Sequence, residues 1–324
     1  MKGFLKGKRL GIFGKGGAGK STVTVLLANA LAARGYGVIV LDADSTNEGI
    51  HRALGLQRAP RPLLDHFGGM VFSGGAVTCP VDDPTPLPGA DISLREIGSK
   101  YYAVSANGVV VFSAGKVSTM GAGAGCDGPV SKIVRDVRIT GLVPEPITLI
   151  DFKAGFEDVA RGVITSVDIA LVVVDPSVAA LMMAVRMKHT VELMKAGQRP
   201  ATGHLDNPQL VDFANRLFRE ARIQDVRVIL NRVNGAPTES YLRRELLKER
   251  IEPIGVLPEN HRIAEAWLKG NSLTVENIGL GGVVDALEAM NTMHREIDAA
   301  QPTTQSFIEK EPTNDKRTGY TRPQ

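Results

Sequence analysis

The residues with the clearest chemical pattern form one stretch near the start of the chain, GKGGAGKST at 14–22. Glycine adopts backbone conformations that other residues avoid, so successive N–H groups in such a stretch can point inward around an anion. The spacing, a glycine, four residues and then Gly-Lys-Ser, is that of a phosphate-binding P-loop. The positions predicted to form this anion-binding turn are Gly14, Gly16, Gly17, Ala18 and Gly19.

The polar side chains that follow the glycines predict what the loop would bind. Lys20 is expected to lie along the β- and γ-phosphates of a nucleotide, and the hydroxyl of Ser21 is expected to ligate Mg²⁺. Thr22 is placed to reach an inner phosphate. The sequence has no N-K-x-D signature for guanine, so ATP with Mg²⁺ is the predicted cofactor pair.

The elements around this stretch must bring its amides to one point. Leu10 to Phe13 are apolar and predict a strand, and a helix is predicted to begin at Lys20. The helix N-terminus adds free N–H groups and a positive dipole end to the same site. The glycines also spell GxGxxG, and Asp42 could serve as the ribose-binding acid of a dinucleotide fold. A dinucleotide site gives no role to the Lys-Ser pair, so the context favours the P-loop.

Three aspartates stand at predicted strand ends, where parallel sheets bind ligands. Asp42 and Asp44 follow the apolar run 38–41, and Asp151 ends the run 147–151. Because Asp42 and Asp44 are two residues apart, they project from one face of the strand end. Hydrolysis of a nucleoside triphosphate needs carboxylates that hold Mg²⁺ and orient the attacking water. An ordinary acidic turn is the alternative for the first pair.

The second residue of the loop is also a lysine, Lys15, which gives the pattern K-G-G-x-G-K-[S/T]. This pattern resembles the deviant Walker A loop of the MinD/ParA class of P-loop NTPases, which includes the arsenical pump ATPase, the nitrogenase iron protein and CooC. The resemblance implies an α/β fold, a mostly parallel sheet flanked by helices on both faces. It also implies that Lys15 is catalytic and crosses a dimer interface to the partner's ATP. Such a lysine resembles an arginine finger, worth ~10³ or more in rate.

The resemblance extends to the two switch regions of the class. It makes Asp44 the water-positioning aspartate of switch I, Asp42 its neighbour on the Mg²⁺ side, and Lys20 the second catalytic lysine. It makes Asp151 a Mg²⁺ ligand through water, and Gly155 an amide donor to the γ-phosphate.

Switch II continues the match beyond these residues. The stretch DFKAGFEDVARG at 151–162 is close to the CooC pattern D-x-E-A-G-x-E-H-x-x-R-G. Lys153 and Asp158 stand where CooC has an acid and a histidine, so the roles of those two side chains do not carry over.

Two further positions resemble the base-contacting loops of the class. Asn231 ends the run 226–231 and matches the asparagine that family members place on adenine, and Pro258 begins a second such loop at 258–260. A strand-capping asparagine and a helix-starting loop are the alternative.

Glycines surround one of the two cysteines. The stretch GAGAGCDGP at 121–129 implies a closely approached backbone and an exposed thiol at Cys126. The iron protein and CooC place a cysteine of a similar segment at the dimer axis, and Gly128 here replaces the second cysteine of CooC's C-x-C. Two Cys126 thiolates, with Asp127 carboxylates, could bind Zn²⁺ or Ni²⁺ across a dimer. A glycine turn with an incidental cysteine is the alternative.

The other cysteine, Cys79, precedes Pro80 and is expected to fill a turn. A four-iron cluster needs four thiolates, two from each subunit, and would therefore require Cys79 as well as Cys126. Two cysteines cannot form a disulfide framework, so a reduced, cytoplasmic setting is predicted.

The chain has 324 residues, of which 43% are hydrophobic, and a net charge of +3, as expected of a globular protein. Residues 1–300 predict one P-loop ATPase domain with an insertion at about 57–127, and 301–324 predict a disordered tail. Within the insertion, 101–105 and 109–112 flank a hairpin turn. The insertion is expected to lie over the nucleotide edge.

Apolar runs that alternate with helical patterns are typical of a parallel sheet buried on both faces. Besides the elements already named, the predicted strands are 169–174 and 254–257, and the predicted helices are 48–54, 128–140, 178–196, 208–221, 238–250, 263–269 and 282–299.

These observations predict an ATP-binding and hydrolysing dimeric switch of the CooC-like type, an accessory factor in metal insertion or metalloenzyme maturation. Its predicted partners are a second copy of the chain and a client metalloenzyme. The alternatives are a MinD/ParA-like positioning or partition ATPase and an iron-protein-like electron donor with a bridging cluster. Stable membrane attachment is not predicted, because the helix at 282–299 carries acidic residues. Nucleic acid is not a predicted partner, because basic residues at 243–250 alternate with acidic ones.

Overall fold

The computed structural model describes residues 4–71, 74–116, 126–273 and 280–300. The predicted tail at 301–324 and the glycine run at 121–125 lie outside the described residues.

The strands of the described chain build one large sheet and one small one. They are β1 (Arg9–Gly14), β2 (Val38–Asp42), β3 (Asp91–Ser93), β4 (Tyr102–Val104), β5 (Val110–Ser113), β6 (Arg138–Thr140), β7 (Ile147–Asp151), β8 (Ile169–Val174), β9 (Asp225–Val233) and β10 (Pro253–Pro258). Eight strands lie in the order β10-β9-β8-β1-β7-β2-β5-β4, and β3 pairs with β6 in parallel. Within the large sheet every pairing is parallel except that of β4 with β5.

Helices cover both faces of the large sheet. They are α1 (Lys20–Ala33), α2 (Ile50–Ala53), α3 (Leu63–His66), α4 (Gly128–Asp136), α5 (Glu157–Ala160), α6 (Val178–Lys195), α7 (Pro208–Arg219), α8 (Ala236–Lys248), α9 (His261–Lys269) and α10 (Gly281–Ala300). One core cluster packs α4, α6 and α8 on the sheet, and another packs α1, α2 and α10 on the opposite face. The predicted mostly parallel α/β sheet with helices on both faces is confirmed.

The central strands are apolar along their whole length because both of their faces are covered. Every residue of β1, β2 and β8 is buried. Successive side chains of a strand point to opposite faces, so an apolar run without alternation can fill both core clusters. β1 is therefore held within the core, and the P-loop that follows it begins from a fixed position.

The hairpin predicted within 101–112 is present. Its second strand, β5, pairs in parallel with β2, so that β5 and β4 extend the large sheet at one edge. The hairpin is therefore part of the main sheet, and the position predicted for the whole insertion at 57–127 stays a prediction.

The helix predicted over 128–140 ends earlier, at Asp136. Val137 has extended backbone angles, and the following three residues form β6 against β3. The backbone N–H of Arg138 donates to the carbonyl of Ala90, so pairing with a distant segment replaces the last helical turn.

Strand register brings polar side chains together at the carboxyl edge of the sheet. Asp42 of β2 stands beside Asp151 of β7, and Asp151 stands beside Ile12 of β1. Ser113 of β5 stands beside Asp42 on its other side. Because the carboxyl ends of parallel strands meet at one edge, the loop after β1 and the aspartates of β2 and β7 are neighbours.

Candidate functional site

A cleft of about 1120 Å³ opens at this edge of the sheet. Its walls come from the glycine loop, the first turn of α1, the ends of β9 and β10, and α9. Of the predicted site residues, those lining the cleft are Gly16, Gly17, Gly19, Lys20, Ser21, Thr22, Asp44, Asn231 and Pro258. A cleft of this volume, lined by amides and a few polar side chains, accommodates a nucleoside triphosphate.

The glycine loop has the backbone that its sequence predicts. Gly17 and Gly19 have φ angles of +81° and +92°, in the region that favours glycine. A Cβ at Gly19 would also collide with the side-chain amide of Asn231. That amide donates a hydrogen bond of 2.7 Å to the carbonyl of Ala18, so Asn231 braces the loop. Contact of Asn231 with an adenine base stays a prediction.

Lys20 and Ser21 begin α1 at the floor of the cleft. Lys20 is buried. The Ser21 hydroxyl donates to the Asp151 carboxylate at 2.6 Å and accepts from the side-chain amide of Asn47 at 3.1 Å. Burial raises the pKa of Asp151 to about 6, although the hydrogen bond from Ser21 opposes that shift.

The donors around Ser21 fit a magnesium ion. Hydroxyl and carboxylate oxygens are the hard ligands that Mg²⁺ prefers, and Ser21 and Asp151 already converge. Burying an ionised carboxylate without a cation is costly, and the raised pKa of Asp151 reflects this cost. Asn47, one of the polar residues that follow Asp44, adds an amide to the same group, although no role was predicted for it. Its role could have been suggested only by its place soon after Asp44.

Asp42 and Asp44 are both buried but have different neighbours. Asp44 lines the cleft, and its Oδ1 accepts from the backbone and hydroxyl of Thr46 at 3.0 and 2.7 Å. Asp42 accepts instead from the Lys116 ammonium at 2.7 Å. Lys116 also donates to the carbonyls of Asp44 and Asn47, so it holds the whole switch I turn.

Lys116 is a site residue that sequence reasoning missed. It follows β5, far along the chain from the aspartates, and only the pairing of β5 with β2 brings it there. Burial raises the pKa of Asp42 to about 7 even though the Lys116 charge acts in the opposite direction. The Mg²⁺ role of Asp42 and the water-positioning role of Asp44 stay predictions.

Gly155 and Lys15 both make contacts within the chain. The Gly155 amide donates to the carbonyl of Gly14 at 3.2 Å, which joins switch II to the start of the loop. The Lys15 ammonium stands 3.6 Å from the carboxylate of Asp175, and its side chain is 40% exposed. Lys15 does not line the cleft, as expected if it serves a partner's nucleotide, but that role stays a prediction.

Two further residues that line the cleft were not predicted. The indole N–H of Trp267, the only tryptophan of the chain, donates to the Thr22 hydroxyl at 2.9 Å. Arg232 has a φ of +57° and donates to the carbonyl of Gly17 at 2.8 Å. Both lie far in sequence from the loop, so no local pattern indicated them.

The cysteine segment is tied to both switches through the residue after Cys126. The Asp127 carboxylate accepts from Lys153 at 2.8 Å and forms an ion pair with Arg161 at 2.9 Å. The Ser45 hydroxyl donates to it at 3.3 Å. We call Asp127, Lys153, Arg161 and Ser45 the Asp127 junction. Burial opposes the ionisation of Asp127, but the hydrogen bond from Lys153 and the charge of Arg161 outweigh it and hold its pKa below the usual range.

The junction gives Asp127 partners within its own chain. Its two carboxylate oxygens face cations of switch II, and the suggested ligand role of Asp127 stays a prediction. It also accounts for Lys153, which departs from the CooC pattern but forms one of these contacts.

The two cysteines differ in exposure but are neighbours. Cys126 is exposed, whereas Cys79, predicted to fill a turn, is buried beside Gly128. Within the described ranges, no group of three or more His, Cys, Asp or Glu side chains could hold a metal ion. A metal at Cys126 therefore stays a prediction.

The parallel sheet, the glycine loop at its carboxyl edge and the Lys-Ser pair at the start of α1 define a P-loop NTPase. Residues 12–273 match the CobQ/CobB/MinD/ParA nucleotide binding domain, and the chain belongs to this family. It is an ATP-binding and ATP-hydrolysing enzyme of this type, which confirms the predicted MinD/ParA class.

Known proteins resemble the chain over much of its length. An uncharacterized ATP-binding protein from Methanocaldococcus jannaschii is 25% identical over 281 residues, which are 86% of this chain and 99% of that protein. The carbon monoxide dehydrogenase accessory protein CooC from Rhodospirillum rubrum is 28% identical over 184 residues, 56% of this chain and 67% of CooC. The cell division ATPase MinD from Pyrococcus furiosus superposes with a TM-score of 0.53 at 19% identity, covering 89% of this chain and 99% of MinD. That superposition shows the fold alone.

Among the described residues, no helix is both long and apolar enough to cross a membrane.

Proposed function

We propose that the protein is an ATP-driven dimeric switch of the CooC-like type, which carries a metal ion at Cys126 and delivers it during maturation of a client metalloenzyme. The metal is cargo in this proposal, not a resident cofactor. The observation that carries it is the Asp127 junction, because it links the residue beside the exposed thiol to both nucleotide-sensing switches. The sequence similarity to the accessory protein CooC supports the same assignment.

The nucleotide end of the switch uses the residues of the cleft. The loop amides and Lys20 would hold the phosphates of ATP, and Ser21 and Asp151 would hold Mg²⁺, which neutralises phosphate charge. Asp44 lines the cleft and is the candidate to orient the attacking water. Gly155 would exchange its bond to the Gly14 carbonyl for a phosphate oxygen, which would shift switch II.

A shift of switch II would reach the thiol directly. Lys153 and Arg161 lie on either side of α5 and both contact Asp127, so movement of switch II pulls on the residue next to Cys126. Ser45 gives switch I a contact with the same carboxylate. The presence or absence of the γ-phosphate can therefore change the position of Cys126 without any contact between the thiol and the nucleotide.

The dimer is the second part of the proposal. Lys15 is partly exposed outside its own cleft, and its ammonium stands 3.6 Å from the carboxylate of Asp175. An exposed ion pair of this kind contributes little, ~0.2–1 kcal/mol, so it is readily exchanged for a partner's phosphate. Closure of two subunits around ATP would bring their Cys126 thiols to a shared surface.

The test measures the alkylation rate of Cys126 by iodoacetamide, followed by mass spectrometry of its peptide, with and without ATP and Mg²⁺. Sedimentation velocity on the same samples reports the dimer. We expect ATP to promote the dimer and to slow alkylation of Cys126 at least ~10-fold through burial. Asp127→Asn should retain ATP binding but lose most of the dependence of alkylation on ATP.

The matched control is Asp212→Asn, which removes an exposed aspartate from α7. It should behave as the unchanged protein does. Equal alkylation rates with and without ATP in the unchanged protein would overturn the coupling. Dimerisation without any effect on Cys126 would instead favour a positioning or partition ATPase, the alternative of the MinD/ParA kind.

A further inference from the structure

The fold brings the two cysteines of the chain together at one glycine. A Cβ built on Gly128 would lie 2.7 Å from the Sγ of Cys79 and 3.3 Å from the Sγ of Cys126. Both sulfurs therefore contact the same small space, and the distance between them cannot exceed about 6 Å. Two sulfurs bound at about 2.3 Å to one tetrahedral ion stand about 4 Å apart.

Gly128 is what allows this approach. A side chain at position 128 would place its Cβ 2.7 Å from the Cys79 sulfur and 2.8 Å from the Cys79 Cβ, both closer than real atoms pack. The φ of Gly128 is not in the left-handed region, so backbone strain does not require glycine here. Glycine is required at position 128 because a Cβ there would occupy the space next to the Cys79 thiol.

The two thiols differ in their access to solvent. Cys79 is buried and Cys126 is exposed, so one sulfur is sheltered and the other can be reached from outside. Both lie beside Gly128, the first residue of α4.

We propose that Cys79 and Cys126 together bind one soft or borderline metal ion, of the Zn²⁺ or Ni²⁺ class, within each subunit. This deepens the proposed function, on which it rests, by naming a second ligand and the class of cargo. Thiolates select such ions over Mg²⁺. In the described part of the chain no third acidic, histidine or cysteine side chain completes a metal-binding group. The open coordination positions are then available to a second copy or to a client, as delivery requires.

The test titrates reduced protein with Co²⁺ under anaerobic conditions, because thiolate bound to Co²⁺ gives a charge-transfer absorption in the near ultraviolet. We expect one Co²⁺ per subunit in the unchanged protein. Cys79→Ser and Cys126→Ser should each lower the absorption per bound Co²⁺ by about half and weaken affinity at least ~10-fold. Thermal unfolding of each variant checks that the fold is kept.

A pair of glycine variants tests the space itself. Gly128→Ala should displace the Cys79 thiol and weaken Co²⁺ binding, whereas Gly203→Ala, which has nothing within 4 Å of its added Cβ, should not. Loss of binding in Cys126→Ser with unchanged affinity and absorption in Cys79→Ser would overturn the pair but leave the proposed function standing on Cys126 alone. Equal Co²⁺ binding in both serine variants and the unchanged protein would overturn the site altogether.

Discussion

The nucleotide cleft and the Asp127 junction are built in opposite ways. The cleft takes its shape from a single run of backbone, in which Gly17 and Gly19 have positive φ and the Lys-Ser pair follows directly. The junction is assembled from side chains of separate segments, with Asp127, Lys153 and Arg161 meeting through two charged contacts. One site is therefore a property of a local loop, and the other is a property of the packed fold.

This difference separates binding from response. A nest of amides does not depend on rotamers and is ready for a phosphate before it arrives. Ion pairs between separate segments depend on the position of both segments, so a shift of one segment is felt by the other. We infer that substitutions in the cleft change affinity and rate by large factors. Substitutions in the junction should change the coupling between the nucleotide cleft and Cys126. Where they affect a buried charge, they should also change the stability of the fold.

The largest expected effect is on turnover. Lys15→Ala should retain ATP affinity but lower kcat by ~10³, about 4 kcal/mol, because a charge supplied by the partner subunit is missing in the transition state. Steady-state hydrolysis at several protein concentrations measures this effect. Lys248→Ala removes an exposed lysine from α8 and is the control. A normal kcat in Lys15→Ala would mean that this lysine serves only its own Asp175.

The next effect is on binding. Lys20→Ala should weaken ATP affinity by ~2–5 kcal/mol, roughly 30- to several-thousand-fold, because a buried cation is removed from the phosphates. Trp267 lines the cleft, donates a hydrogen bond to Thr22 and is the only tryptophan of the chain. Its fluorescence therefore offers a direct readout of nucleotide binding. If Lys20→Ala binds ATP as tightly as the unchanged protein does, the phosphate site lies elsewhere.

Two glycines of the loop provide a smaller and matched comparison. Gly17→Ala should cost ~1–2 kcal/mol of stability, since its φ is +81° but its Cβ would meet nothing within 4 Å. Gly19→Ala should cost ~2–4 kcal/mol, because the added Cβ also displaces the Asn231 amide from the Ala18 carbonyl. Urea unfolding of both variants measures the difference. Equal costs would show that Asn231 does not brace the loop.

The features that could be predicted from the sequence are those that depend on residues close together in the chain. The loop, the central strands and the ends of α1 and α6 follow from contiguous patterns, which local physical chemistry controls. Lys116 and Trp267 could not be predicted, because each reaches the site through strand pairing or helix packing between distant segments. The same is true of Cys79, whose local turn gives no sign that its sulfur touches Gly128.

The charged residues around the junction also come from distant segments, so their contacts could not be predicted from the sequence. One of them leads to the smallest predicted effect. Asp158 is buried next to the junction and accepts a hydrogen bond of 2.9 Å from Ser131 of α4. From the sequence it was only a departure from the CooC pattern. Burial, reinforced by the nearby Asp127 charge, raises its pKa to about 6. The folded protein therefore holds a proton that the unfolded chain, with an ordinary aspartate pKa, has already lost.

Asp158→Asn should consequently stabilise the protein in a pH-dependent way. Since the folded state binds the additional proton, the Asp158 contribution to stability falls as pH rises from about 4 to about 6, and the full cost applies above that range. Asparagine carries no charge and can still accept from Ser131. The variant should therefore gain ~1–3 kcal/mol at pH 8 and almost nothing at pH 4. Urea unfolding at both pH values measures this difference, with Asp212→Asn as the exposed control. A gain of the same size at both values would mean that packing, and not the buried charge, is responsible.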